Sequence, residues 1–109
     1  MKIKYLAKKY FKLFSKKDEV NLFKMFDKKI VLKDWELNLK NKENVIKANK
    51  KIFKKFKKII VIPKKIYQDK NTIIAEIQIK INNKDVLNVL DILKFNKKNK
   101  ITSIKAYKI

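Results

Sequence analysis

Apolar and polar positions change their spacing along this chain, and the changes divide it into segments. Between Ile3 and Phe14 the apolar residues fall at 3, 6, 7, 10, 11, 13 and 14, with lysines between them. That spacing predicts a helix with a broad apolar face. Ser15-Lys16-Lys17 interrupts it, and Asp18 suits the N-cap of a short second helix carrying Val20, Leu22, Phe23, Met25 and Phe26. Asp27-Lys28-Lys29 reads as a turn, and Ile30–Leu37 as a strand with Asp34 and Trp35 inside it. Asn38–Lys42 is polar and loop-like. Glu43–Lys57 then places Val45, Ile46, Asn49, Ile52, Phe53 and Phe56 on one helical face, with Glu43 in the first turn, where the helix dipole favours an acid.

From Lys58 the period becomes two. Ile59–Tyr67 predicts a strand, and Pro63, which has no N–H to give to a ladder, points to an edge position or a bulge. Asp69-Lys70-Asn71 turns the chain. Thr72–Ile81 alternates strictly, with Ile73, Ala75, Ile77, Ile79 and Ile81 on one face and Ile74, Glu76, Gln78 and Lys80 on the other. Asn82-Asn83-Lys84 is a hairpin turn, because asparagine tolerates positive φ in a chain that has no glycine. Asp85–Phe95 is the next strand, Asn96–Lys100 a turn, and Ile101–Ile109 the last strand. Helix, helix, strand, helix and four strands predict an α+β fold: a strongly curved antiparallel sheet packed against three helices, with a cone-shaped pocket between the layers. A chain of 109 residues is expected to form one domain with a modest core.

One position in that pattern is chemically out of place. Leu87, Val89, Asp91, Leu93 and Phe95 share a strand face, so a carboxylate sits among apolar side chains. An unpaired charge there is costly. Asp91 either pairs with a lysine or a backbone N–H, holds its proton to higher pH, or faces a wet cavity.

Composition narrows the chemistry. The chain has no Cys and no His, so no disulfide or thiolate chemistry is available and an ordinary zinc or non-haem iron site is not expected. No cofactor is expected. The formal net charge is +21, a value that suggests nucleic acid. All 31 basic residues are Lys, however, so the planar fork of Arg that reads guanine or clamps phosphate is missing. The lysines are spread along the chain and accompany many Ile and Asn, four Ala, one Pro and no Gly, the residue usage of AT-rich codons. Specific nucleic-acid binding is therefore not expected, only weak adherence to polyanions at low salt. No apolar run reaches the length of a membrane span and no cleavage signal follows an apolar N-terminal segment, so the expected compartment is the cytoplasm. Ile3–Phe14 and Val45–Lys58 would resemble membrane-surface peptides in isolation, but the sheet needs them as cover, so membrane binding is not expected either.

The ordered set of segments resembles the nuclear transport factor 2-like superfamily, in its SnoaL-like and ketosteroid isomerase-like branch. The resemblance runs from Tyr10-Phe11 in the first helix through Asp18 and Met25-Phe26 to Val31-Leu32-Lys33-Asp34-Trp35. It continues with Asn41–Phe56, then Asp91-Ile92-Leu93-Lys94-Phe95, Lys100-Ile101-Thr102-Ser103-Ile104 and Tyr107. It implies a cystatin-like α+β cone that binds small apolar molecules. Limonene epoxide hydrolase-like enzymes use an Asp-Arg-Asp arrangement and scytalone dehydratase-like enzymes depend on His; this chain has neither Arg nor His. Ketosteroid isomerase-like enzymes use a Tyr in the first helix, an Asp in the first strand and an Asp in a late strand, and SnoaL-type cyclases use an acidic base. Tyr10, Asp34 and Asp91 occupy the matching places. The resemblance thus implies proton transfer beside a carbonyl, with Asp34 as base and Tyr10 and Asp91 as donors to the oxyanion. The expected pocket lining is Phe14, Trp35, Phe53, Phe56, Leu87, Val89, Leu93, Phe95 and Tyr107. The expected partners are a small apolar ligand and a second copy of the chain, paired through the outward face of Ile74, Glu76 and Gln78. The alternatives are a non-catalytic ligand-binding or dimeric adaptor domain, and a basic protein that binds anionic membranes or polyanions.

Overall fold

A computed structural model describes residues 2–109. The elements run α1 (Lys2–Ser15), α2 (Glu19–Met25), β1 (Phe26–Lys33), β2 (Asn38–Lys40), α3 (Lys42–Lys55), β3 (Ile59–Asp69), β4 (Thr72–Ile81), β5 (Asp85–Phe95) and β6 (Ile101–Lys108). One curved six-stranded sheet has the order β2-β1-β6-β5-β4-β3. Every strand pairing is antiparallel except that of β1 with β6. The three helices cover one face of this sheet, so the α+β architecture expected from the order of segments is present.

The α1 helix ends by a mechanism forced on a chain without glycine. Asp18 N–H donates to Leu13 O and Lys17 N–H to Phe14 O, both at 3.0 Å, and Lys17 takes φ 56°. This is the Schellman arrangement, in which the left-handed position is usually glycine. Lysine accepts it here and puts its side chain to use: Lys17 Nζ donates to the carbonyls of Phe53, Phe56 and Lys57 at the end of α3. The last carbonyls of a helix have no intrahelical partner, and a cation suits that end of the dipole. Asp18 then caps α2 as expected, accepting from Asn21 N–H at 3.2 Å.

Sheet edges are handled by short range devices. β3 is an edge strand, and its register with β4 shifts between Pro63 and Lys65, so both readings of Pro63 hold. Ser15 Oγ accepts from Val61 N–H at 2.8 Å and donates to Phe11 O at 3.0 Å, which ties the end of α1 to that edge. The other edge strand, β2, has three residues, too few to recruit a foreign strand readily. Asn82 and Asn83 form the β4–β5 hairpin with φ of 53° and 58°, as their side chains predicted.

Several boundaries differ from expectation; the strand expected to end at Tyr67, for one, runs on to Asp69. Asp27-Lys28-Lys29 is not a free turn but part of β1; Asp27 does bond locally to Lys29 N–H, yet Phe26 pairs with Ile101 and Asn96 Nδ2 holds Asp27 Oδ1 at 3.0 Å. The ladder absorbs the irregularity as a register shift between Phe26 and Val31. The first long strand stops at Lys33 rather than Leu37, because Asp34 folds the chain back and Asn38–Lys40 returns as β2 against Val31–Lys33. The third helix ends at Lys55, two residues earlier than its pattern suggested.

The core lies between the sheet and the helices. Phe11, Leu22, Phe26, Ile73, Leu93, Phe95 and Ile101 are fully buried. The apolar faces of α1 and α3, which carry Tyr10, Phe11, Val45, Ile46 and Phe53, are buried in the same core. No helix among the described residues is long and apolar enough to cross a membrane.

Candidate functional site

The inward residues of β4 and β5 are spaced two apart, but the helices do not cover all of them. Ile73, Ala75 and Ile77 are buried, whereas Ile79 and Ile81 are half-buried; across the ladder Leu93 is buried and its strand-mate Leu87 is half-buried. Above the uncovered part lies a cavity of about 510 Å³, walled by α1, α3, the turn after β1 and strands β3 to β6. A space of this size holds a drug-sized molecule.

Asp91 lies in the floor of this cavity. Its neighbours across the ladder are Ala75 on β4 and Ala106 on β6. Two methyl-sized flanks leave room around the carboxyl group and supply no cation. Burial pushes the Asp91 carboxyl up to about 7, and the charge of Asp34 pushes it in the same direction. The site therefore keeps a carboxylic acid able to donate a hydrogen bond at mildly acidic to neutral pH.

Tyr10 reaches the cavity from α1, with its ring among Phe11, Phe14 and Phe26 at centroid distances of 5.5, 6.2 and 6.5 Å. Burial raises its phenol well above the ordinary range, and the Asp91 charge acts the same way, so Tyr10 is a donor and never a base near neutrality.

Asp34 lines the wall from the turn after β1 rather than from inside a strand. Its Oδ1 accepts from Glu36 N–H and Leu37 N–H, both at 2.7 Å, while its own N–H donates to Leu37 O at 3.0 Å. This Asx turn is the reason the strand stops. It also holds Asp34 at the cavity wall, with Oδ1 accepting both of these hydrogen bonds. Asp34 thus lies one residue beyond the first strand in which the resemblance implied it, for a local reason: the aspartate makes the turn that positions it.

No protein-family model matches the sequence, and no curated protein matches it. Solved structures do. An NTF2-like protein of unknown function from Cytophaga hutchinsonii superposes with a TM-score of 0.83 at 13% identity, over 98% of this chain and 89% of that one. A candidate isomerase of the SnoaL-like family from Agrobacterium tumefaciens gives 0.86 at 11% identity, over 100% and 99%. A candidate ketosteroid isomerase from Kribbella flavida gives 0.87 at 8% identity, over 98% and 77%. The chain has the nuclear transport factor 2-like fold.

Within this nuclear transport factor 2-like domain, Tyr10, Asp34 and Asp91 line one cavity with Phe14, Trp35, Phe56, Leu87 and Val89. Four residues expected to line it do not. Phe53 stands behind Phe14, meeting its ring edge-on at 4.9 Å. Leu93 and Phe95 share the face of Asp91 but lie toward the end where the core is packed solid. Tyr107 points outward, because Asp91 pairs with Ala106 and alternation along β6 turns Ile104, Ala106 and Lys108 inward instead. Tyr107 is half exposed and contributes to a shallow depression with Lys33, Trp35 and Lys108 on the rim. At that rim Lys108 Nζ lies 4.9 Å from the Trp35 ring centre.

A residue outside the expected site also belongs to it: Asn49, on the apolar face of the third helix. It is buried, it lines the cavity, and its Nδ2 has no hydrogen-bond partner. The signal was an amide inside an apolar stripe.

Proposed function

We propose that this domain binds a small, apolar, carbonyl-containing molecule in its cavity and transfers a proton at the carbon beside that carbonyl, in the manner of a ketosteroid isomerase-like or cyclase-like enzyme. The observation that carries the proposal is the convergence of Tyr10, Asp34 and Asp91 on one apolar cavity, with environments that push the two carboxyl groups apart in role. Asp34, at the mouth and fixed by its turn, takes the proton from carbon through Oδ2. Negative charge then develops on the carbonyl oxygen. Tyr10 Oη and protonated Asp91 donate to that oxygen from buried positions among apolar side chains, where such hydrogen bonds are stronger than in bulk solvent. Return of the proton from Asp34 to a different carbon completes an isomerisation; in a cyclisation the enolate carbon attacks a second carbonyl of the same molecule, the first carbonyl re-forms, and the new alkoxide oxygen takes the proton back from Asp34. Phe14, Trp35, Phe56, Leu87 and Val89 bury the apolar body.

Binding without turnover is the second reading. It is favoured by the two hydrogen bonds that commit Asp34 Oδ1 to the turn, a task the residue would perform in a domain with no chemistry at all. Asn at position 34 keeps the acceptor Oδ1 and removes the charge, so Asp34→Asn separates the two. Turnover of a cyclic enone is measured by the absorbance of its conjugated product, and affinity by calorimetric titration. Proton transfer requires Asp34→Asn to lose at least about a hundredfold in kcat, the usual contribution of a positioned base, with affinity kept within a few-fold. Wild-type protein that binds enones without isomerising them leaves the second reading in place.

A further inference from the structure

The cavity contains a polar group that proton transfer does not use. Asn49 is 4% exposed, lies on α3 between apolar neighbours Val45, Ile46 and Phe53, lines the cavity, and has an enclosed side-chain Nδ2 without a hydrogen-bond partner. A leucine at this position would complete the stripe at no polar cost. The amide instead leaves a buried donor unsatisfied, which opposes folding unless the side chain turns to an acceptor that enters the cavity. No local bond explains it either: the backbone carbonyl one turn back, a frequent acceptor for helical polar side chains, is not used. Asn49 also stands on a different wall from the oxyanion donors. Asp91 belongs to the sheet and Tyr10 to α1, whereas Asn49 belongs to α3.

Resting on the reading of the cavity as a carbonyl-binding site, we propose that Asn49 is its second hydrogen-bonding pole. The ligand is then bipolar: an apolar body whose carbonyl oxygen lies against Tyr10 and Asp91, and which carries a hydroxyl group directed to Asn49. A hydroxyl fits this amide in either orientation. Nδ2 donates and Oδ1 accepts, and a hydroxyl both accepts and donates. A purely hydrocarbon body would leave the amide as unsatisfied as before, so Asn49 selects against it in favour of a body that carries a hydroxyl.

The test uses two probes of the same shape, naphthol and a dihydroxynaphthalene with hydroxyl groups at opposite ends of the rings. A phenol stands in for the enol at Tyr10 and Asp91, and the second hydroxyl reports on Asn49. Fluorescence titration of the wild-type protein below pH 7 is expected to show the dihydroxy probe binding about tenfold more tightly, the value of one good hydrogen bond. In Asn49→Leu that ratio falls to about one while naphthol affinity stays within about twofold, a change that a merely structural role for Asn49 would not produce. Asn49→Ala gives the same readout without the bulk of leucine. A wild-type protein indifferent to the second hydroxyl, or a preference that survives both substitutions, overturns the role of Asn49 and leaves the pocket intact. Failure of both probes to bind overturns the carbonyl-binding reading itself, and the two failures are thereby told apart.

Discussion

The two ends of the β4–β5 ladder carry the same alternation and have opposite fates. At one end Ile73 pairs with Leu93, Phe95 follows, and Phe26, Leu22 and Ile101 close over them until no solvent reaches any of the six. At the other end Ile79 pairs with Leu87, Ile81 follows, and the space above them is open. The strands are equally apolar on their inward faces in both places. What differs is the cover: Leu22 of α2 and Phe26 at the start of β1 belong to the buried core that includes the closed end, whereas the turn at Asp34 and residues of α1 and α3 wall an open space over the other. Asp91 sits between the two regimes, flanked by Ala75 and Ala106, deep enough to hold its proton and near enough to the hollow to present it. A pattern of apolar residues thus decides which way side chains point, and not whether the volume they point into is filled.

Three experiments break or sharpen that contrast. The largest effect is expected from truncation at the closed end. Phe95→Ala should cost about 3–5 kcal/mol, because it leaves a cavity in a packed core, while Leu87→Ala should cost on the order of 1 kcal/mol, because its side chain already borders open space. Urea unfolding of both variants measures the difference, and equal losses would mean the open end is not hollow in solution. Next comes the boundary. In the unfolded chain Asp91 ionises in the ordinary carboxylate range, whereas in the folded protein it keeps its proton up to about 7. Unfolding therefore releases a proton in that window, and this group makes the protein less stable as pH rises through it, with no further loss above. Asp91→Asn should remove that slope and raise stability by a few kcal/mol above pH 7, as read from thermal melts at several pH values. Asp18, whose bonds to Asn21 hold its carboxyl below the usual range, acts oppositely and at lower pH, so the two windows separate. The smallest effect belongs to the roof of the hollow. Asn49→Leu should stabilise the fold by about 1–2 kcal/mol by removing an unmet donor, and so raise Tm by several degrees. A drop in Tm would show that the amide is structurally paired.

Much of the architecture was open to reading because its causes are local. Period-two runs, Pro63 at an edge, Asp18 at a helix start and Asn82-Asn83 at positive φ each act within a few residues. The errors have one source as well. Asp34 and Asp27 have strand-like and turn-like neighbours respectively, but backbone bonds from Glu36 and Leu37 make a turn of the first, and pairing of Phe26 with Ile101 makes a strand of the second. Tyr107 was misplaced for want of register: only the pairing of Asp91 with Ala106 shows which residues of β6 face inward.

Taken alone, the chain's order of residues determined its elements, their amphipathic faces and the presence of a carboxylate on an apolar one, since these depend on helical and pleated periodicity and on turn chemistry. Tertiary structure alone decided that Tyr10, Asp34 and Asp91 meet at one hollow, that Asn49 joins them, and that Phe53, Leu93, Phe95 and Tyr107 do not. Those outcomes rest on strand register and on how far three helices stand from a curved sheet, and both are settled by packing between residues distant in the chain.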